Sequence, residues 1–361
     1  MTGRAYNFNA GPAALPLEVL QQAQAEFVDF KDSGMSIMEM SHRGAIYEGV
    51  HNETQALLKE LLAIPEGYQI LFLQGGASTQ FAMIPMNFLQ GRTGSYVHTG
   101  SWADKAIKEA KSFGNVQIAA TSEANKYMNI PALSTLNYPQ DAAYLHITSN
   151  ETIEGTQFQQ YPDTGGVPLI ADLSSDIMSR PLDVSQFGMI YAGAQKNLGP
   201  SGVTLVILRK DLLGDVPKSV PTMFRYDTHL KNNSLYNTPP GYSIYMVNLV
   251  LKWIKGKGGL AGIEQLNREK TGLIYNAIDT SEGFYTGCVD ADSRSMMNVT
   301  FRLANEELEK QFVKASEAAG FIGLKGHRSV GGLRASTYNA VTRESCEALS
   351  AFMAEFQRVN G

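Results

Sequence analysis

Lys196 lies among small, uncharged residues in the segment YAGAQKNLGPSG (191–202), which begins within the apolar run MIY. Lysine is rarely buried in proteins, and burial lowers the pKa of its ammonium group. An amine with a lowered pKa can form a Schiff base with an aldehyde. A lysine in an exposed loop is the ordinary alternative, so this interpretation depends on the residues that accompany Lys196.

Asp172 follows the apolar run VPLIA and lies one strand–helix–strand step before the lysine. A carboxylate at the end of a buried strand needs a partner. A protonated pyridine nitrogen is such a partner, and an aspartate at that position lets the ring accept electrons. Capping of a helix or a turn is the ordinary alternative for this aspartate.

The glycine-rich segment QGGASTQF (74–81) lies between a predicted strand and a predicted helix. Its small residues let the backbone N–H groups of Ala77 and Ser78 face an anion at the start of the helix. The segment therefore predicts a phosphate site, but not a nucleotide P-loop, because the Walker lysine is absent. A glycine-rich turn without a ligand is the common alternative.

Trp102 and Thr152 each follow a predicted strand, SYVHTG and AYLHIT respectively. The indole could stack on an aromatic cofactor, and the threonine offers a hydroxyl at the same edge of the sheet. Core packing is the ordinary role of a single tryptophan. Together with the amine, the carboxylate and the phosphate-binding turn, these residues describe a site for pyridoxal 5′-phosphate.

The elements that must position these residues form an alternating pattern between about residues 50 and 210. Short apolar runs alternate with helical stretches; the runs are YQILFLQ, SYVHTG, VQIAA, AYLHIT, VPLIADLS, GMIYAG and VTLVIL. Buried strands separated by helices predict a mostly parallel sheet covered by helices. Ligands of such α/β sheets bind beyond the carboxyl ends of the strands, where the candidate residues lie.

A break at KGKGGLAG (255–262) separates this region from a second pattern of strand, helix, strand and helix. The second pattern predicts a smaller α+β domain. We therefore expect a large domain over residues 16–258 and a small domain over residues 259–361, with an N-terminal segment (1–15) joining them.

The composition limits the classes of function. The 361 residues are 43% hydrophobic and 18% charged, as in ordinary globular proteins, and the net charge of -5 argues against nucleic acid or anionic membranes as partners. The chain has neither a signal-peptide pattern nor a run of membrane-spanning length, which predicts a cytoplasmic protein. Cys288 and Cys346 form neither a disulfide framework nor a zinc motif, so we expect no metal site.

Several long segments carry a family resemblance that runs essentially from end to end. They are FNAGPAALP (8–16), SIMEMSHRG (36–44), NETIEGTQF (150–158), ADLSSDIMSRPLDV (171–184), YAGAQKNLGPSG, YNTPP (236–240) and KGHRSVGGLRASTYNA (325–340). In these segments the chain closely resembles the phosphoserine aminotransferases, a family of fold-type I pyridoxal-phosphate enzymes. The resemblance implies the α/β fold of that class, with a large cofactor-binding domain and a smaller α+β domain.

The resemblance assigns a role to each residue of the predicted cofactor site. It implies that Lys196 forms the Schiff base with the cofactor and that Asp172 pairs with the pyridine nitrogen. Trp102 would stack on the ring, and Thr152 would support the region of the ring hydroxyl. After displacement by the amino substrate, the lysine would act as the general base, and the enzyme would follow ping-pong kinetics.

The cofactor phosphate would be bound by residues from two subunits. The resemblance implies that Ala77, Ser78 and Gln195 bind it from one chain. Asn237 and Thr238 would complete the phosphate site from the other subunit. A site shared in this way implies an obligate homodimer.

The resemblance also implies the substrates. L-Glutamate and 3-phosphohydroxypyruvate would give 2-oxoglutarate and O-phospho-L-serine, and the related four-carbon substrate of pyridoxine biosynthesis is a further candidate. Arg334 resembles the bidentate partner of the α-carboxylate. Two His-Arg pairs, His42 with Arg43 and His327 with Arg328, resemble the residues that bind the second anionic group.

Three alternative functions remain. Another fold-type I enzyme, such as a cysteine desulfurase-like protein, would need a reactive cysteine, and neither Cys288 nor Cys346 has a convincing setting. A non-catalytic binding protein on the same fold would be expected to lack the lysine. A Schiff-base aldolase without a cofactor would leave the phosphate-binding turn and Asp172 unused.

Overall fold

The computed structural model describes residues 3–361. In this range the α-helices are α1 (Leu17–Ala25), α2 (Ala45–Leu61), α3 (Gly76–Phe88), α4 (Ser101–Ala110), α5 (Tyr226–Lys231), α6 (Gly241–Gly256), α7 (Gly259–Asp279), α8 (Glu306–Ala318) and α9 (Arg343–Asn360). The strands are β1 (Tyr6–Asn7), β2 (Tyr68–Leu73), β3 (Thr93–His98), β4 (Asn115–Thr121), β5 (Tyr144–Thr148), β6 (Leu169–Asp172), β7 (Met189–Gly193), β8 (Thr204–Arg209), β9 (Thr286–Gly287), β10 (Asn298–Arg302), β11 (Phe321–Ile322) and β12 (Leu333–Ser336).

A mostly parallel sheet forms the centre of the molecule, which confirms the predicted α/β class. Its seven strands have the order β2-β8-β7-β6-β5-β3-β4 within the described residues. Strand β8 is antiparallel to both of its neighbours, β2 and β7, and the other pairs are parallel. The residues of β5, β6 and β7 are all buried, as expected for strands that are covered by helices on both faces.

Two hydrophobic cores lie on opposite faces of this sheet. Along β2, Ile70 and Phe72 enter one core, and Leu71 and Leu73 enter the other, because successive side chains of a strand alternate between faces. Helices α1, α2 and α6 cover the first face, and α3, α4 and α5 cover the second. Burying each large aliphatic side chain contributes about 1.5–3 kcal/mol, so these two cores hold the strand ends in fixed positions.

A third core lies in the C-terminal part of the chain. Antiparallel strands in the order β12-β10-β9 pack with α7, α8 and α9. Strand β1 pairs in parallel with β11, and the adjacent Phe8 is fully buried in this core. The N-terminal segment therefore packs on C-terminal elements.

Helix α7 occupies the position where the sequence suggests a break. It begins at Gly259, three residues after α6 ends, and it contributes Leu260 and Ile263 to the first core and Ile274 and Ile278 to the third. A division into residues 16–258 and 259–361 stays a prediction. None of the helices in the described range is both long and apolar enough to cross a membrane.

Candidate active site

The carboxyl ends of the parallel strands bring the predicted residues to one edge of the sheet. Asp172 is the last residue of β6, and Lys196 follows β7 by three residues. Thr152 lies in the turn after β5, and Trp102 lies in the first turn of α4, which follows β3. These residues come from different strands, so their relative positions depend on the register of the whole sheet.

The amine of Lys196 lies at the centre of this group. Its Nζ donates a hydrogen bond of 2.6 Å to Thr152 Oγ1 and lies 5.2 Å from the centroid of the Trp102 ring. Burial lowers the pKa of the lysine from 10.5 to about 8, although the charges of Asp172 and Glu151 act in the opposite direction. The structure therefore provides an amine that is uncharged far more often than that of an exposed lysine.

The carboxylate of Asp172 is buried, with 5% of the residue exposed. Its Oδ1 accepts a hydrogen bond of 2.8 Å from the backbone N–H of Ser174. Burial raises the pKa of Asp172, whereas the nearby charge of Lys196 lowers it. A buried carboxylate in this setting is stabilised by a cationic partner, which a protonated ring nitrogen would supply.

The N-terminus of α3 forms the predicted phosphate-binding turn. The residue before the helix, Gly75, has φ +92°, and a Cβ there would overlap Thr79 Oγ1. Gly75 provides no side-chain cap, and Ala77 and Ser78 lie in the first turn of the helix. Such a terminus offers N–H groups and a positive dipole to an anion. Gln195, which the resemblance also assigns to the cofactor phosphate, lies next to Lys196 and is partly buried.

Arg334 and His327 line a shared cavity of about 450 Å³ beside the turn after β5. Arg334 Nη1 donates to the Thr152 carbonyl at 3.0 Å, and its Nε is buried without a partner within the described residues. Burial and the charge of Arg334 lower the pKa of His327, whose Nδ1 lies 2.6 Å from Ser329 Oγ. Arg328 is exposed and is not among the residues that line this cavity.

Four of the predicted residues lie outside the group around Lys196 in the single chain, and two of them, Asn237 and Thr238, contact Gln74 at the start of the glycine-rich segment. His42 and Thr238 line a separate cavity of about 260 Å³, whose lining does not include Lys196 over the described residues. Arg43 is exposed, and Asn237 Nδ2 donates to Gln74 Oε1 at 3.4 Å. One chain by itself therefore does not bring His42 and Arg43 to the lysine.

The structure also places residues at the site to which the sequence interpretation gave no role. Gly11 has φ +142°, and a Cβ on it would lie 3.4 Å from Lys196 Cγ, so the segment FNAGPAALP packs directly against the lysine. Asn197 Oδ1 accepts a hydrogen bond of 3.0 Å from the N–H of Asn339, which follows β12. The turn of Lys196 is thereby tied to the strand that carries Arg334. The side chains of glycine and asparagine do not by themselves indicate a catalytic role. In the sequence these residues are marked only by the long segments that carry the family resemblance, in which all of them lie.

The chemistry of these donors fits pyridoxal 5′-phosphate. The cofactor has an aldehyde, a ring nitrogen, an aromatic face and a phosphate, and the site offers an amine, a buried carboxylate, an indole and an uncapped helix N-terminus. The buried, unpartnered Nε of Arg334 adds a donor for a substrate anion. The residues present are therefore those that this cofactor and an anionic substrate need.

Comparisons with known proteins agree with this geometry. The family model described as "Aminotransferase class-V" matches residues 5–349. A phosphoserine aminotransferase from Niallia circulans is 70% identical over 362 residues, which cover 100% of both chains. The solved phosphoserine aminotransferase from Bacillus circulans subsp. alkalophilus superposes with a TM-score of 0.99 at 70% identity, covering 100% of each chain. A pyridoxal-phosphate-bound phosphoserine aminotransferase from Trichomonas vaginalis gives a TM-score of 0.93 at 42% identity, covering 97% of this chain and 100% of the other.

The fold, the site and the family match define an aminotransferase of class V. Enzymes of this class use pyridoxal 5′-phosphate, so it is the cofactor of this transaminase. Within the class, the chain belongs to the phosphoserine aminotransferase family, whose members match it over its whole length.

Proposed function

We propose that the enzyme transfers the amino group of L-glutamate to 3-phosphohydroxypyruvate, giving 2-oxoglutarate and O-phospho-L-serine. The observation that carries this proposal is the position of Lys196 Nζ, held by Thr152 Oγ1 in a group that includes Asp172 and Trp102. The family match supports the choice of substrates. Use of the four-carbon substrate of pyridoxine biosynthesis stays a prediction.

The cofactor, when bound, supplies an aldehyde carbon that takes up amino groups and a ring that acts as an electron sink. Lys196 Nζ moves the proton at the substrate Cα, because a pKa of about 8 lets the amine both accept and return a proton near neutral pH. Asp172 holds a proton on the ring nitrogen. Trp102 packs against the ring, and Ala77 and Ser78 donate N–H groups to the phosphate together with the side chain of Gln195.

Arg334 binds the α-carboxylate that both amino acids share. Its guanidinium is partly desolvated and is anchored through one N–H to the Thr152 carbonyl, which leaves other donors for a carboxylate. His327 shares the same cavity and binds the second anionic group, with Arg328 on the adjacent exposed loop. A substrate without the second anionic group would leave donors of this cavity unpaired, so the cavity favours dianionic acids.

A homodimer completes the site. His42 and Thr238 line one surface cavity, apart from the lysine, and Asn237 lies next to Thr238 in the chain. Met38, which lines this cavity, and Tyr236, which precedes Asn237 in the chain, are 52% and 48% exposed, which favours a partner subunit that covers them. On this proposal Asn237 and Thr238 complete the phosphate site of the partner chain, and His42 and Arg43 reach the second anionic group of the substrate bound there.

A mixing experiment tests the shared site. Inactive Lys196→Ala and Arg43→Ala chains, unfolded together and refolded, would form mixed dimers with one intact site and regain part of the activity. Continued inactivity of the mixture, with dimers present by light scattering, would contradict a site shared between subunits.

We also propose a cytoplasmic location, supported by the free state of Cys288 and Cys346, which suits a reducing compartment.

The alternative of a cysteine desulfurase-like enzyme is not favoured. Cys346 is fully buried in α9, and burial raises its pKa to about 12. Burial also raises the pKa of Cys288. A thiol nucleophile needs a lowered pKa and access to the substrate, and neither cysteine has the required electrostatics.

Initial-rate kinetics test the proposed reaction. The concentration of L-glutamate is varied at several fixed concentrations of 3-phosphohydroxypyruvate. We expect parallel double-reciprocal lines, because 2-oxoglutarate is released before 3-phosphohydroxypyruvate binds. Release of sulfur from L-cysteine would serve as the control reaction and should be absent. Intersecting lines, or turnover only with L-cysteine, would contradict the proposal.

A further inference from the structure

Two buried glutamates cap the helix that carries Trp102. Glu151 Oε2 accepts the N–H of Trp102 at 3.0 Å, and Glu151 Oε1 accepts the N–H of Ala103 at 2.9 Å. Glu154 Oε1 accepts both the N–H and the hydroxyl of Ser101, at 3.0 and 2.6 Å. The first three N–H groups of α4 are therefore bound by carboxylates from the turn after β5.

This capping is costly compared with an ordinary helix cap. A cap is usually one polar side chain on the residue before the helix, but that residue here is Gly100, and a Cβ on it would lie 2.7 Å from both Glu151 Cδ and Glu154 Oε2. Glu151 is fully buried, and Glu154 Oε2 is buried without a partner in the described chain. Burial and the repulsion between the two carboxylates raise the pKa of Glu151. Capping alone would not require two buried acids.

The same short turn contacts the two other parts of the active site. Thr152, between the two glutamates, accepts the hydrogen bond of Lys196 Nζ through its hydroxyl and that of Arg334 through its carbonyl. The turn is closed by a hydrogen bond of 2.8 Å from the N–H of Gly155 to the Glu151 carbonyl. One rigid turn thus connects the indole, the amine and the substrate-binding guanidinium.

We propose that Glu151 is a positioning residue that fixes the indole of Trp102 over the amine of Lys196, with Glu154 as its support through Ser101. The inference rests on the proposed cofactor site, in which Trp102 packs on the ring. Removing an acceptor at Glu151 frees a backbone N–H in the first helical turn, and the ring attached to that turn then loses its fixed distance from the lysine. The cofactor ring would then pack on an indole whose position is less fixed, and the cofactor would bind more weakly.

Trp102 itself provides the readout. The chain has two tryptophans, so Trp253→Phe leaves Trp102 as the sole indole in an otherwise complete chain. In this parent, Glu151→Gln keeps the shape of the side chain but replaces one of the two accepting oxygens by an NH2 group, which cannot accept. The measurements are acrylamide quenching of Trp102 in the cofactor-free chain, the Kd for pyridoxal 5′-phosphate, and unfolding by denaturant.

A matched control removes a helix cap elsewhere. Asn305 Oδ1 caps α8 by accepting the N–H of Leu308 at 2.9 Å. Asn305→Ala should lower stability without affecting the tryptophan or the cofactor. For Glu151→Gln we expect about twofold greater quenching and about a tenfold higher Kd, as for the loss of one charged hydrogen bond.

The outcomes separate a positioning role from a structural one. Lower stability with quenching and Kd equal to those of the parent, as in the Asn305 control, would overturn the inference, and so would changed quenching with an unchanged Kd. If Glu151→Gln does not fold, Glu154→Leu decides in the same way, since it removes the oxygen that accepts from Ser101 and keeps the volume of the side chain. Failure of the parent to bind the cofactor would instead overturn the proposed function, while the quenching comparison would still decide whether Glu151 orders the indole.

Discussion

Replacement of Asp172 by asparagine should make Lys196 more reactive and the enzyme less active. Burial lowers the pKa of Lys196 to about 8, and the charge of Asp172 opposes that effect. At pH 7 about one amine in ten is then uncharged, about 300-fold more than for a lysine with the ordinary value. Without the carboxylate we expect the pKa to fall by at least about one further unit, which leaves about half of the amines uncharged.

Competitive acetylation measures this change. The cofactor-free chain is labelled with a trace of acetic anhydride between pH 6 and pH 11, and the rate at Lys196 is read by mass spectrometry against an exposed lysine such as Lys314. Asp172→Asn should label about fivefold faster than the wild type at pH 7, the ratio of the two uncharged fractions. Asp183→Asn, at an exposed aspartate that caps a short turn, is the matched control and should not change the rate.

The same substitution should lower the rate of transamination. The amide cannot hold a proton on the ring nitrogen as a carboxylate does, so the electron sink is weakened although the lysine is more often uncharged. Opposite signs for labelling and turnover are the signature of the proposed arrangement. A Lys196 pKa near the ordinary value in the wild type, or one that does not fall in Asp172→Asn, would refute the electrostatic reasoning.

Two further substitutions test the substrate cavity and the scaffold. Arg334→Lys keeps the charge but loses the planar guanidinium, which binds a carboxylate through two N–H groups. The KM for L-glutamate should therefore rise about tenfold in steady-state kinetics, while cofactor binding is unchanged. An unchanged KM would show that Arg334 does not bind the carboxylate. Lys270→Met should lower the free energy of unfolding by at least about 3 kcal/mol in denaturant titrations, because the buried Nζ donates to three carbonyls within residues 338–341. A loss no greater than that of the exposed Lys314→Met would show that those carbonyls need no donor.

The sequence predicted the central sheet because its strands are continuous apolar runs. Each of Lys196, Asp172, Thr152 and Trp102 follows such a run, and parallel strands present their carboxyl ends at one edge. The edge of the sheet could therefore be predicted before the distances were known. Hydrogen-bond lengths and pKa values needed the register of the strands, which no local pattern contains.

Helix α7 was not predicted, because its first turn resembles a loop. The preceding Gly258 has φ +88°, and the helix itself begins with Gly259 and contains Gly262. Glycines usually indicate a break, but here burial of Leu260 and Ile263 on the first core stabilises the helix. Tertiary packing outweighed the local preference.

Contacts between distant parts of the chain were also beyond the sequence patterns. In the sequence, Glu151 and Glu154 are ordinary polar residues of a predicted loop. In the structure they accept hydrogen bonds from the first turn of α4, about fifty residues earlier in the chain. The pairing of β1 with β11 joins the two ends of the chain, and the two-residue strands carry no periodic signal. The placement of His42 and Arg43 away from Lys196 likewise depends on the folded chain and, in our proposal, on a second one.

The most direct test of the account is a spectral titration of wild-type protein and Lys196→Ala with bound pyridoxal 5′-phosphate. We predict that L-glutamate removes the visible absorption band of the wild type and that 3-phosphohydroxypyruvate restores it, whereas the variant shows neither change. Return of the band only with a different oxo acid would contradict the proposed acceptor. A wild-type band that does not respond to L-glutamate, or a variant that responds as the wild type does, would contradict the catalytic role of Lys196.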